Sequence, residues 1–264
     1  MPSKWTRKER AEKRKEIVQF YIKENKTIKE VGKILNIAES TVFDRMKRLN
    51  IKSQPSKKLH YRNIQYYVTP PKHYSNELAE FIGIMLGDGH ISHFQIMVTL
   101  GTKEYEYVEY VSKLMNRIFN TQSRIHTRKD GQRIVYVGSV EAVKWLENMG
   151  LTHNKVEYQV DVPKWIYTKT SYMQNTIRGL IDTNGSIYKL KFGTQISFCN
   201  HSYPLLRSAR AILVRLGFHP SQISGYNLYL TKRCDLLKFF KEIGFNNTKH
   251  RKRSVDFARS IFKN

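Results

Sequence analysis

The stretch "RGLIDTNGSI" (178–187) has a near twin earlier in the chain, "FIGIMLGDGHI" (81–91). Each runs a helical apolar pattern straight into a turn sequence. Aligned, Gly83 meets Gly179, Gly87 meets Thr183, and Gly89 meets Gly185. Asp88 then falls opposite Asn184, so one copy ends in a carboxylate and the other in an amide. Gly83/Gly87 and Gly179/Thr183 put small residues at i and i+4, on one helix face. Two such helices can bring their backbones very close while Ile84, Leu86, Leu180 and Ile181 pack into separate cores. A close pair about a pseudo-twofold axis sets Asp88 and Asn184 side by side.

The likeness continues downstream. Strand-like "FQIMVTLGT" (94–102) matches "TQISFCNHS" (194–202), and a helical pattern follows in "EYEYVEYVSKLMNRIF" and "SYPLLRSARAILVRLGF". Two strands around a turn are predicted in "SRIHTRKDGQRIVYVGS" (123–139), where Asp130-Gly131 is a hairpin signal, and in "SQISGYNLYLT" (221–231). A short helix closes each copy in "WLENMGL" (145–151) and "FFKEIGF" (239–245). Each copy thus reads α-β-β-α-β-β-α, an α+β class. The boundaries are 76–165 for the first repeat and 166–264 for the second with a C-terminal tail. Four strands and three helices make one antiparallel sheet with helices on one face and the other face open to something polar.

The 264 residues suffice for one large domain or two small ones with a real core, and 40% of them are apolar. No run approaches a membrane span. The N-terminal "MPSKWTRKERAEKRKE" lacks the apolar core of a signal peptide. The expected location is therefore intracellular, in the cytoplasm, nucleoid or an organelle, and not secreted. Cys199 and Cys234 are the only cysteines, which excludes a disulfide framework or a Cys-rich zinc site. The formal charge is +24, from 46 Lys and Arg against 22 Asp and Glu. Such an excess repels itself unless a polyanion neutralises it, which points to nucleic acid. No basic amphipathic helix with bulky aromatics stands alone, so no membrane partner is expected.

Residues 1–52 read as a small all-α module. A helix over 7–24 precedes a second that Thr27 and Glu30 cap as a box. A turn at Asn36 leads to a third helix from Ala38 or Glu39, with Val42, Met46 and Leu49 inward. Its other face shows Ser40, Thr41, Arg45, Lys47 and Arg48. This pattern resembles a helix-turn-helix whose last helix would enter a major groove, with Ser40, Thr41, Arg45 and Arg48 as its DNA-contacting candidates. Residues 53–75 carry Pro55, Pro70 and Pro71 and read as a basic linker.

From residue 75 onward the chain resembles the LAGLIDADG homing endonucleases in their single-chain form with two motifs. The likeness rests on "FIGIMLGDGHI", "IRGLIDTNGSI", the order of elements, and "GLTHNK" against "GFNNTK" after the last helix of each copy. It implies two saddle-shaped sheets in the major groove of a long asymmetric duplex site. It also implies a monomer, and acids at the paired helix ends that bind divalent metal and cut both strands. The helix-turn-helix is an addition to that minimal pattern.

The resemblance makes Mg2+, or another divalent cation such as Mn2+, the expected cofactor. Asp88 and Asn184 would hold it with the backbone oxygens of Gly87 and Thr183. An amide keeps a carbonyl oxygen and loses the negative charge. Asn184 fits a deliberate replacement, natural decay to nicking or binding only, or an active enzyme that tolerates it. Lys155 and Lys249 align, each just beyond its copy's last helix, and are the candidate cations for phosphate charge in the transition state. Gln95 and Gln195, on matching strands, order water or read bases. His90 and His93 have no zinc spacing. Strand alternation proposes Thr99, Arg124, His126, Arg128, Gln132, Tyr136, Lys189, Lys191, Ser197, Tyr226 and Tyr229 as further DNA contacts. Two other functions remain open: a cleavage-deficient DNA-binding regulator, and an RNA-binding intron maturase.

Overall fold

The computed structural model describes residues 5–24, 26–51, 68–191 and 193–261. The chain divides into two compact units, 1–61 and 62–264. In the smaller unit α1 (Arg7–Ile17) opens on a capping box between Thr6 and Glu9 and runs into a π-helical turn, Val18–Lys23. Helix α2 (Ile28–Ile34) opens on the expected box between Thr27 and Glu30. Asn36 takes a left-handed φ of 51°, and α3 (Glu39–Arg48) starts behind Ala38. Ile17, Tyr21, Val31, Val42, Met46 and Leu49 form this unit's core. Each large aliphatic side chain buried there contributes roughly 1.5–3 kcal/mol.

Most of the expected linker lies outside the described residues. Its described end, 68–75, packs onto the larger unit: Val68 is buried, and Tyr74 stacks on Trp165 with centroids 4.2 Å apart. An apolar and an aromatic residue find partners there that the basic composition of the segment hides. Ser75 then caps α4 (Asn76–Gly87), accepting from the Leu78 N–H at 3.1 Å. There follow β1 (Gly89–Ile91), β2 (Gln95–Leu100), α5 (Tyr105–Phe119), β3 (Arg124–Thr127), β4 (Arg133–Gly138) and α6 (Val140–Asn148). The strands form an antiparallel sheet in the order β1-β2-β4-β3.

A 3-10 turn (Lys164–Thr168) leads into the second copy. Its elements are α7 (Thr170–Asn184), β5 (Gly185–Leu190), β6 (Gly193–Cys199), α8 (Tyr203–Arg215), β7 (Asn227–Leu230) and α9 (Arg233–Glu242). The sheet order among described residues is β5-β6-β7. The segment that corresponds to β3 meets β7 through the Ser224–Asn227 bridge, a 2.9 Å bond from the Ser221 N–H to the Tyr229 carbonyl and a 3.1 Å bond from the Tyr229 N–H to Ser221 Oγ. The connection to β7 runs through a tight turn at Gly225, φ 56°. Where the sequence suggests a tail, a further helix forms, α10 (Thr248–Ile261).

Register decides which side chains face outward. Ile96 and Val98 lie opposite Val137 and Val135, all four buried beneath the helices. The opposite face therefore carries Gln95, Met97 and Thr99 with Tyr136, Ile134, Arg124, His126 and His90, since directly paired residues share a face. In the second sheet Ile187 pairs with Ile196 and Phe198 with Leu228, all buried.

Candidate nucleic-acid interface and cleavage centre

Helices α4 and α7 cross where the two glycines meet. A Cβ on Gly83 would overlap the Thr176 carbonyl and stand 3.1 Å from the Gly179 Cα. A Cβ on Gly179 would stand 2.8 Å from the Ile84 nitrogen. At the helix ends a Cβ on Gly87 would stand 2.8 Å from the Thr183 Cβ and overlap Asn184 Oδ1. The two motifs thus finish against one another, with Asp88 capping α4 and Asn184 as the last residue of α7.

Lys155 donates to the carbonyls of Met85 (3.2 Å), Leu86 (3.4 Å) and Gly87, so it caps the C-terminus of α4 with a cation. Burial lowers the Lys155 ammonium to about 8, and Asp88 opposes that fall. Burial likewise pushes the Asp88 carboxyl up to about 6, against the pull of Lys155. Glu104 adds to the rise and Lys249 opposes it.

Lys249 reaches the same region from the other copy. Its ammonium lies 3.1 Å from Glu104 Oε1. Glu104 also accepts from Asn247 Nδ2 (2.8 Å) and from the Gly101 N–H (2.6 Å). Burial raises the Glu104 carboxyl, but the bonds from Asn247, Gly101 and Lys249 outweigh it and hold the group below its ordinary value. Asn247 Nδ2 bonds the Asp182 carbonyl as well, at 2.9 Å, which ties the segment after α9 to the last turn of α7.

A buried polar network joins the copies farther in. Glu80 accepts from Tyr110 OH (2.8 Å), Asn246 Nδ2 (2.6 Å) and Arg178 Nη1 (3.3 Å). Asp182 Oδ2 accepts from the Asn246 N–H at 2.8 Å, while its Oδ1 has no hydrogen-bond partner among the described residues. Burial pushes Asp182 up to about 8 despite the Asn246 bond. Sequence reasoning missed Glu80, Glu104, Asp182, Asn246 and Asn247. For Glu104 a signal exists: the first copy carries an acid where the second, at the strand offset, has Pro204.

The donor set at the helix ends suits a hard cation. Asn184 Oδ1 is buried and accepts no hydrogen bond among the described residues, and Asp88 lies at the same helix ends. With the Gly87 and Thr183 carbonyls these are oxygen ligands only, the type magnesium prefers. The set holds one negative charge, and Lys155 already bonds the Gly87 oxygen. The Thr183 hydroxyl donates back to the Gly179 carbonyl at 2.8 Å and lies against Gly87. Among the described residues no group of three or more His, Cys, Asp and Glu could hold a metal.

The remaining candidates divide by face. Gln95, Thr99, Arg124, His126 and Tyr136 share the open face of the first sheet, with Gln132 and Arg128 at its turn. Gln195 and Ser197 share the open face of the second with Tyr229, although Ser197 is buried and Gln195 Nε2 donates to Tyr188 OH. Lys189 is a correction. It pairs with Thr194 and has the parity of buried Ile187, so the open face carries Ser186, Tyr188 and Leu190 instead. Lys191 stands in the turn beyond β5, and Tyr226 precedes β7 and packs on His201 at 4.4 Å. In the smaller unit Ser40 and Arg48 are exposed, while Thr41 and Arg45 are half-buried. The Arg48 guanidinium lies 5.4 Å over the Trp5 ring.

The chain is 25% identical to the replication factor C small subunit of Methanocaldococcus jannaschii over 205 residues, 74% of this chain and 11% of that protein. It is 26% identical to that organism's glutamine–fructose-6-phosphate aminotransferase over 194 residues, 71% of this chain and 17% of the relative. The chain thus spans less than a fifth of the length of these relatives. Among solved structures, I-DmoI in complex with DNA and Mn covers 64% of this chain and 96% of its own, at 18% identity and a TM-score of 0.49. I-WcaI bound to its DNA recognition sequence covers 75% and 92%, at 12% identity and a TM-score of 0.46. The family described as LAGLIDADG-like domain matches residues 75–150 and again 171–244. With both copies matched over more than half of its length, the chain belongs to the LAGLIDADG-like domain family.

Proposed function

We propose that this chain is an intracellular, monomeric endonuclease that binds a long asymmetric duplex DNA site and cuts it with a divalent cation, weakly because Asn184 stands where a second acid would. The observation that carries this reading is the convergence of Asp88, Asn184 and Lys155 at two helix ends whose glycines touch, with Lys249 acting on Asp88 from the other copy. Asp88, the amide oxygen of Asn184 and the carbonyls of Gly87 and Thr183 are the residues that would hold the cation. Bound there, a divalent ion supplies charge neutralisation at phosphate and a more acidic water. Lys155 and Lys249 place positive charge beside the phosphate, where it stabilises the charge that builds on phosphorus. The open faces of the two sheets supply base-reading groups, Arg124 and Gln95 foremost, and the remaining Lys and Arg bind phosphate without sequence information. Residues 1–52 act as a helix-turn-helix that extends the contacted site.

A second reading, a DNA-binding regulator without cleavage, is favoured by two features: the lost charge at Asn184, and the Lys155 ammonium seated on the Gly87 oxygen. A random duplex library incubated with the protein and magnesium distinguishes the two when bound and cut products are both sequenced. Cut products that share the bound sequence support the endonuclease. Bound sequences that stay intact support the regulator, and a preference for folded RNA over duplex would sink both.

A further inference from the structure

We infer that Phe43 reads the methyl group of a thymine from the major groove, as the specificity-determining residue of the front unit. This rests on the reading of residues 1–52 as DNA-binding.

Helix α3 has two faces of different character. Val42, Met46 and Leu49, at its end, are buried at 0%, 2% and 4% exposure and fix which side points inward. Ser40, Phe43, Asp44 and Lys47 fall at i, i+3, i+4 and i+7, and all four are exposed. They form the outward stripe, whereas Thr41 and Arg45 lie on its flanks, half-buried. Phe43 is 54% exposed in the middle of that stripe. Among the described residues the core of this unit lies on the opposite face of α3 and does not include Phe43.

The surroundings choose the occupant. Arg45, Lys47 and Arg48 fill the last turn of α3. A helix with this basic end complements phosphate, and the whole chain carries +24. In the major groove thymine alone presents a methyl group, and an aromatic ring packs on it without needing a hydrogen bond. Asp44 beside it repels phosphate and accepts from a cytosine amino group, so it also suits base edges rather than backbone.

The test uses the full chain on a duplex selected from a random library. Each thymine is replaced singly by deoxyuridine, which removes only the methyl group. Binding is measured for the wild type, Phe43→Ala and Lys47→Ala. One thymine should exist at which uracil weakens wild-type binding about threefold to fivefold, the size expected for burying one methyl group. Phe43→Ala should bind the thymine and uracil duplexes equally at that position and keep the wild-type response elsewhere. If Phe43→Ala retains every uracil penalty, the proposal is wrong. If that variant instead changes self-association in sedimentation, Phe43 makes a protein contact and the proposal also falls. Lys47→Ala tests the underlying reading separately. Unchanged affinity and footprint in Lys47→Ala and Phe43→Ala alike would mean that the front unit does not touch DNA.

Discussion

Gly83 and Gly179 meet backbone to backbone: a Cβ on Gly83 would stand 3.1 Å from the Gly179 Cα. Everything at the helix ends depends on that closeness. Gly83→Ala and Gly179→Ala should each destabilise the larger unit by about 3 kcal/mol, the upper range for forcing atoms into a packed core. Here both neighbours are backbone and cannot yield as side chains do. Gly150→Ala is the control: its Cβ would meet nothing within 4 Å, and only its φ of 90° opposes the change. Urea unfolding midpoints compare the three. A loss at Gly83 no larger than at Gly150 would contradict the close crossing.

Asp182 makes stability depend on pH. Its folded value is raised to about 8 from an ordinary 3.8, chiefly by burial. The folded state therefore keeps a proton that the unfolded chain has lost. This contribution is full below about pH 4 and is lost as pH rises through about 8, at up to about 1.4 kcal/mol per pH unit. Asp182→Asn keeps an acceptor for the Asn246 N–H and removes the titration. Urea unfolding between pH 5 and 8 should show a flatter profile for the variant, and parallel profiles would refute the buried proton.

The proposed metal role of Asp88 makes affinity depend on pH. With its carboxyl raised to about 6, calcium affinity of the DNA complex should fall about tenfold per pH unit below 6 and level off above it. Lys155→Met removes a charge that pulls Asp88 down, so the break should move to higher pH. Calorimetric calcium titrations from pH 5.5 to 7.5 follow both. A break at the same pH in the variant would separate Lys155 from Asp88.

The parts legible in the sequence are those encoded locally. Gly83, Gly87, Gly179 and Thr183 announce a close helix pair through spacing alone, and Thr27, Glu30 and Asn36 mark the ends of α2 within a few residues. What escaped has distant causes. Glu104 meets Lys249 across 145 positions and Asn246 meets Glu80 across 166, and no window spans such pairs. Alternation alone puts Lys189 on the open face because it gives a period but not a register, and a slip of one residue exchanges the faces. Val42 and Met46 point inward already in the sequence, and the fold adds that Phe43 between them stays exposed.

DNA affinity should depend steeply on salt. With roughly 10 phosphate contacts, log affinity falls against log salt with a slope of about −9. Binding of the selected duplex between 50 and 200 mM salt measures it. A slope shallower than about −3 would rule out the extended interface.

Strand-resolved cleavage of the selected duplex by Asn184→Asp tests the proposed cleavage centre most directly. A second carboxylate beside Asp88 adds the missing charge where α4 and α7 end. Magnesium-dependent double-strand cleavage should appear, or rise at least about tenfold, while affinity in calcium changes little. Asp88→Asn in that background should abolish cleavage and spare binding. If Asn184→Asp stays inert with magnesium and manganese on a site it binds tightly, the helix ends are not a cleavage centre and the regulator reading takes its place.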